Sequence, residues 1–147
     1  MEACLRKRAR RGFGLLPILG FSLVVASCGN GAQDPNNELP FGHIDAPVGG
    51  VTVPAGPLEV NGWALDDSAV KAIRIYVDNH FKAATTVDSN RPDLAGPYPQ
   101  YVHGTSLHGW KAQVDIPSAP GSHTILAQAV DDAGATRDVM AVSVTVR

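Results

Sequence analysis

At 147 residues the chain has room for one ordinary domain with appendages, and 12 basic against 14 acidic residues exclude a strongly basic protein. The charge is unevenly placed: residues 1–27 hold five of the basic side chains and one acidic one, which leaves seven against thirteen, a net charge of −6, for the remainder. Nucleic acids and anionic lipid surfaces select basic patches, so no nucleic-acid partner is expected. The first element in the chain is a leader. Arg6, Lys7, Arg8, Arg10 and Arg11 crowd its start, and residues 12–27 then run for sixteen positions without a charge. A bilayer core about 30 Å thick needs about 20 helical residues. This run is shorter and is interrupted by Pro17, so the pattern predicts an export signal and not a membrane span.

The exit of that run is Val25-Ala26-Ser27-Cys28: an aliphatic residue, two small ones and a cysteine. It resembles the lipobox of bacterial lipoprotein signals. The resemblance implies that Cys28 takes a diacylglyceryl group, that cleavage falls before it, and that the new amine can be acylated in turn. Cys28 is then the lipidation site, and the membrane is a partner through the lipid anchor. Gly29 stands where an aspartate would imply retention at the inner membrane, so the resemblance implies the outer membrane, on its periplasmic face or at the cell surface. A single chain anchors only marginally, whereas two or more anchor stably, at ~0.8 kcal/mol per buried CH₂. Cys4 leaves with the signal and Cys28 is consumed by lipid, so the exported part has no disulfide and its core must hold by packing.

Residues 29–40 are polar, rich in Asn and Gly, and without apolar periodicity, which predicts a flexible linker. The expected organisation is therefore a signal over 1–27, a lipidated cysteine and linker over 28–40, and one domain over 41–147. Within the domain, short runs of β character alternate with turn residues. Strands are expected at 41–46, 58–64, 70–77, 80–87, 109–116, 123–130 and through Met140, Val142, Val144 and Val146. Ile73, Ile75 and Val77 share one face, and so do Trp110, Ala112, Val114 and Ile116. Asp78-Asn79 offers a tight turn between two of these runs. No window carries convincing helical periodicity, so the fold class is all-β.

Asn61-Gly62-Trp63-Ala64-Leu65-Asp66, Ile75-Tyr76-Val77-Asp78, Arg91-Pro92-Asp93-Leu94, Tyr98-Pro99, Gly109-Trp110, Gly121-Ser122-His123-Thr124 and Ala129-Val130-Asp131-Asp132-Ala133-Gly134 follow one another in an order that resembles bacterial immunoglobulin-like modules. The resemblance implies a β-sandwich of about seven strands used for spacing, adhesion or recognition, and no catalysis. The Cys…Trp…Cys pattern of antibody domains is absent.

Candidate site residues fall into two groups. The connection from Asp88 to His108 is long for a compact domain, and such loops are commonly functional. Arg91 and Asp93 can lock it by charge-assisted hydrogen bonds and Tyr98 can plug the sandwich edge. Alternatively, Tyr98, Tyr101 and Trp110 offer aromatic faces to a protein or glycan ligand, since rigid aromatics give contact area at low entropic cost. The second group is Asp66, Asp67, Asp131 and Asp132. Their simple role is to satisfy turn N–H groups; a Ca²⁺ site is the other reading, because hard cations take several oxygens. Gly62 beside Trp63 is expected to let an indole lie across a neighbouring strand. The five histidines show no HExxH spacing, His103 and His108 alone do not make a zinc site, and there is no nucleophile elbow. The expected function is a non-catalytic, membrane-tethered recognition or adhesion module of the bacterial envelope without a cofactor; an accessory lipoprotein of a larger envelope complex is the alternative.

Overall fold

The computed structural model describes residues 36–102 and 104–147. The expected signal, the lipidation site Cys28 and His103 lie outside the described residues. Among the described residues no helix is long and apolar enough to cross a membrane.

Two sheets pack face to face. One holds β1 (Phe41–Ala46), β3 (Gly56–Leu65), β7 (Leu107–Ile116) and the two-residue β6 (Ser89–Asn90), in the order β1-β3-β7-β6. The other holds β2 (Thr52–Val53), β4 (Val70–Val77), β5 (His80–Thr85), β8 (Gly121–Asp131) and β9 (Thr136–Val146), in the order β2-β9-β8-β4-β5. All pairs are antiparallel except β2, which runs parallel to the end of β9 through Thr52↔Thr145 and Val53↔Val146. The fold is the all-β sandwich expected from sequence, with seven long strands and two short ones among the described residues. Each of the seven expected runs forms a strand; the fourth stops at Thr85, two residues early. The short strands and a 3-10 helix at Pro92–Ala95 are additions.

The period-2 pattern explains the core. Val60, Ala64, Trp110, Val114 and Ile116 face Ile73, Ile75, Val77, Ile125, Ala127, Ala129, Val142 and Val144 across the interface, all buried. With side chains alternating along each strand, the other half of the residues is left on the two outer faces. At one pole lie the start of β1, residues 66–69, the loop before β7 and the β8–β9 hairpin. The opposite pole carries the Asp78-Asn79 turn, where both residues adopt left-handed conformations (φ 51° and 64°) that Asp and Asn tolerate.

That opposite pole carries an ionic lock. His123 Nδ1 lies 2.7 Å from Asp78 Oδ2 and its Nε2 lies 2.8 Å from the Ala119 carbonyl, so both ring nitrogens face acceptors. The bond to Asp78, and after it the one to Ala119, holds His123 above its usual pKa of 6.5. The same contact, with the Thr124 N–H on Asp78 Oδ1, holds Asp78 below 3.8. The histidine contribution is complete below about 6.5 and is lost as pH rises through the higher folded value; the Asp78 contribution is present above about 3.8 and is lost as pH falls through the lower folded value. Melting temperature is therefore expected to peak between those limits and to decline on the alkaline side. In His123→Gln that alkaline decline should flatten; a limb of unchanged slope would show that this pair does not govern it.

Candidate functional site

The outer face of the four-stranded sheet is where the unused chemistry gathers. Strand alternation places Phe41 and His43 of β1, Glu59, Asn61 and Trp63 of β3, and Lys111 and Gln113 of β7 on this side. Registration brings His43 opposite Trp63, Trp63 opposite Gly109, Asn61 opposite Lys111 and Glu59 opposite Gln113. The long loop folds back over one end of this face. Phe41 meets Trp63 edge-on at 6.1 Å between ring centroids, Tyr98 at 5.4 Å and Tyr101 at 4.8 Å. Tyr98 also lies 5.4 Å from Trp63, and His43 stacks beside Trp63 at 6.5 Å and 14°. These T-shaped and offset arrangements match the ring quadrupoles.

Arg91 clamps the loop. Its Nε and Nη2 donate to the two Asp93 carboxylate oxygens at 3.0 and 2.9 Å, and its Nη1 donates to Asp45 Oδ2 of β1 at 2.6 Å. Hydrogen bonding to Asp93, and to Asp45 after the opposing effect of burial, raises the Arg91 pKa; the same contact lowers that of Asp93. The lock expected between Arg91 and Asp93 is present, and it extends to a strand that the sequence did not implicate. In Arg91→Ala, proteolytic cleavage within the loop is expected to accelerate roughly severalfold, because the loop loses its tie to β1; equal cleavage rates would mean that the aromatic contacts suffice.

One expectation needs correction. Trp110 offers no face to a ligand: it is 1 % exposed and sits in the core. Residue 110 points inward on the same alternation that places Lys111 outward. Its indole lies against Gly62, where an added Cβ would come within 2.8 Å of Trp110 Cζ2. An indole does cross at Gly62, as expected, but it comes from β7 and not from the neighbouring Trp63. Tyr98 and Tyr101 are half-buried in the ring cluster. The Tyr101 hydroxyl donates to Glu38 at 2.8 Å, which raises its pKa. Asn37 donates to Asp131 Oδ2 at 2.7 Å and Pro40 is buried, so the stretch read as linker is held against the domain at its end.

Two of the four aspartates at that pole, Asp66 and Asp131, accept turn N–H groups. Asp131 is fully buried, and its Oδ1 accepts the Ala135 N–H at 2.7 Å across the β8–β9 turn. Asp66 Oδ2 accepts the Ser68 N–H at 3.1 Å and lies 2.7 Å from Ser68 Oγ, which is also 2.7 Å from Asp132 Oδ1; its one proton serves one of the two. Burial raises the Asp66 pKa against these bonds. Asp67 is exposed, and among the described residues no three His, Cys, Asp or Glu groups converge on a metal position. A cavity of about 100 Å³ at this pole is lined by Asp66, Ser68, Val70, Tyr101, Thr105 and His108. His108 Nε2 donates to the Thr105 carbonyl at 3.0 Å.

Below the aromatic cluster the outer face opens into a groove of about 320 Å³ lined by Asp45, Glu59, Asn61, Ser89, Arg91 and Lys111, with Gly109 in its floor. Nothing local in the sequence marks Asp45, Glu59 or Lys111 as site residues, and Asn61 is marked only as part of the family pattern. The available signal was alternation: every second residue of β3 and β7 that is not core must lie on this face.

A profile of the family described as "Bacterial Ig domain" matches residues 40–127. No curated protein matches the chain. Among solved structures, the chain is similar to the fibronectin(III)-like modules of Clostridium thermocellum CbhA, with 16 % identity and a TM-score of 0.49 over 73 % of this chain and 97 % of that one. It is similar to a chitin binding domain from Burkholderia pseudomallei, with 10 % identity and a TM-score of 0.42 over 67 % of this chain and 57 % of that one. A Niemann-Pick type C2 protein from Japanese carpenter ant is similar at 10 % identity and a TM-score of 0.41, over 78 % and 97 % of the respective chains.

Proposed function

This chain belongs to the bacterial Ig domain family, and from that premise we propose that it is a non-catalytic recognition module, held at the bacterial envelope by lipid on Cys28 and working without a cofactor. The observation that carries the recognition reading is the outer face of the four-stranded sheet. There an aromatic cluster of Phe41, Trp63, Tyr98 and Tyr101 shares the face with a groove in which Glu59, Asn61 and Lys111 make no side-chain hydrogen bond among the described residues. A sheet face that served packing alone would have its large aromatics in the core, and this one keeps them half-buried at the surface.

Residues 37–40 join the domain at the pole of the β8–β9 hairpin, where Asn37 donates to Asp131 Oδ2. The acidic groups there, Asp66, Asp67, Asp131 and Asp132, give no attraction to anionic lipid, so attachment rests on the acyl chains.

Two measurements test the reading. Mass spectrometry of the native protein should find an amino terminus at Cys28 carrying acyl mass, and Cys28→Ser should move the protein out of the membrane fraction. A photo-crosslinker at position 61 in cells should give a specific adduct that the same group at Thr124, on the outer face of the other sheet, does not. Equal labelling at both positions would end the recognition reading, and a free Cys28 thiol would end the tether.

A further inference from the structure

Resting on that recognition reading, we infer that the groove on the four-stranded sheet takes a neutral glycan chain, with hydroxyls held by Glu59, Asn61 and Lys111 and a sugar ring set beside Trp63.

The first argument is which groups are idle. Among the described residues Glu59, Asn61, Lys111 and Gln113 make no side-chain hydrogen bond or ion pair, although Asn61 faces Lys111 and Glu59 faces Gln113 in register. Side chains on one face of a strand recur about every 7 Å. Trp63, Asn61 and Glu59 thus make a line of three successive positions, with Lys111 and Gln113 beside it. Gly109 is part of the groove lining, and the β1 register shifts beside it between Ile44 and Ala46, at Asp45. Its 320 Å³ lies at the lower end of ligand sites, about 300–1,000 Å³.

Charge decides between ligand classes. Asp45 and Glu59 balance Arg91 and Lys111, and the Arg91 guanidinium is already committed to Asp93 and Asp45. With Asp93 counted, the carboxylates here outnumber the cations by one, so the groove has no surplus positive charge for an anionic ligand. It offers a carboxylate that accepts, an ammonium that donates and an amide that does both, which suits hydroxyl groups that likewise do both. A pyranose adds an apolar face, and the half-buried indole of Trp63 is propped at the head of the line by Phe41, Tyr98 and His43. An extended peptide fits less well. It gains its affinity by adding a strand to a free sheet edge, and here β3 is paired on both sides by β1 and β7.

The test uses the lipidated protein in detergent, titrated calorimetrically with cellohexaose, chitohexaose and maltohexaose, with a heparin-derived hexasaccharide as polyanion. At least one neutral hexasaccharide is expected to bind with an affinity unchanged between low and high salt. The double variant Asn61→Ala/Lys111→Ala, with neither residue in the core and neither hydrogen-bonded among the described residues, should weaken it tenfold or more without moving the melting temperature. Undiminished binding in that variant, or binding of the polyanion alone, overturns the assignment. If no oligosaccharide binds while position 61 still crosslinks a protein, the glycan class is wrong and the recognition reading stands; if neither occurs, both fall.

Discussion

Replacing Gly62 with alanine is expected to destabilise the domain by about 3 kcal/mol or more, at the upper end of overpacking effects. Gly62 lies on β3 with its missing side chain aimed into the sandwich, opposite Trp110 on β7 and Ile44 on β1. An added Cβ would overlap the His43 carbonyl oxygen and sit 2.8 Å from Trp110 Cζ2 and 3.0 Å from the His43 carbonyl carbon. Two of these three atoms are backbone, so no rotamer change relieves them. Either β1 moves away from β3, which breaks the ladder that carries the aromatic cluster, or the buried indole is displaced. A domain stable by about 5–15 kcal/mol loses a large share of that margin. Chemical denaturation should show a lower midpoint at unchanged slope. A variant with the wild-type midpoint would mean that the strands yield more easily than their packing implies. Gly109 provides the contrast. There a Cβ would meet Arg91 Cγ and Ser89 Cβ at 3.0 Å and the Ser89 carbonyl oxygen at 3.1 Å, with no atom as close as the overlap at Gly62, so Gly109→Ala should be milder and felt mainly in the Arg91 clamp.

Trp110→Ala is expected to cost about 3–5 kcal/mol, the range for truncating a large buried aromatic. The indole is 1 % exposed and belongs to the cluster that joins the two sheets. Its loss opens a void that β-strands pinned on both sides cannot collapse to fill. The melting temperature should fall by roughly 15 °C or more. Trp110→Phe separates volume from hydrogen bonding. The indole Nε1 is buried without a partner among the described residues, so phenylalanine removes an unsatisfied donor while keeping most of the ring. Its cost should be well under half that of alanine. Equal losses for the two variants would show that the indole nitrogen is bonded after all.

Tyr98 and Tyr101 belong to a loop whose length marks it as unusual, and they were found for that reason. Phe41, 57 residues upstream of Tyr98, completes the cluster and carries no local mark: at position 41 it looks like the start of any strand. The groove residues are similar. Glu59, Asn61 and Lys111 are ordinary polar residues at ordinary outward positions, and only the β3–β7 register sets them side by side. Trp110 lies in the core although it is aromatic, because aromatic character alone does not say which face a residue takes. Its own strand pattern, shared with Val114 and Ile116, had already placed it inside.

What the amino-acid order determined by itself was everything governed by near neighbours. Alternation along each run set the strands and their inward faces, and Asp78-Asn79 set a left-handed turn because those residues tolerate it. The aspartates before turns found the N–H groups they cap. Only the folded chain decided what lies beside what across strands, since pairing register is a choice among distant partners that no local pattern encodes. Register put Gly62 beneath the Trp110 indole, Arg91 against Asp45, and an idle amide opposite an idle ammonium. Those are contacts between residues dozens of positions apart, and it is their geometry that makes one face of this sandwich different from the other.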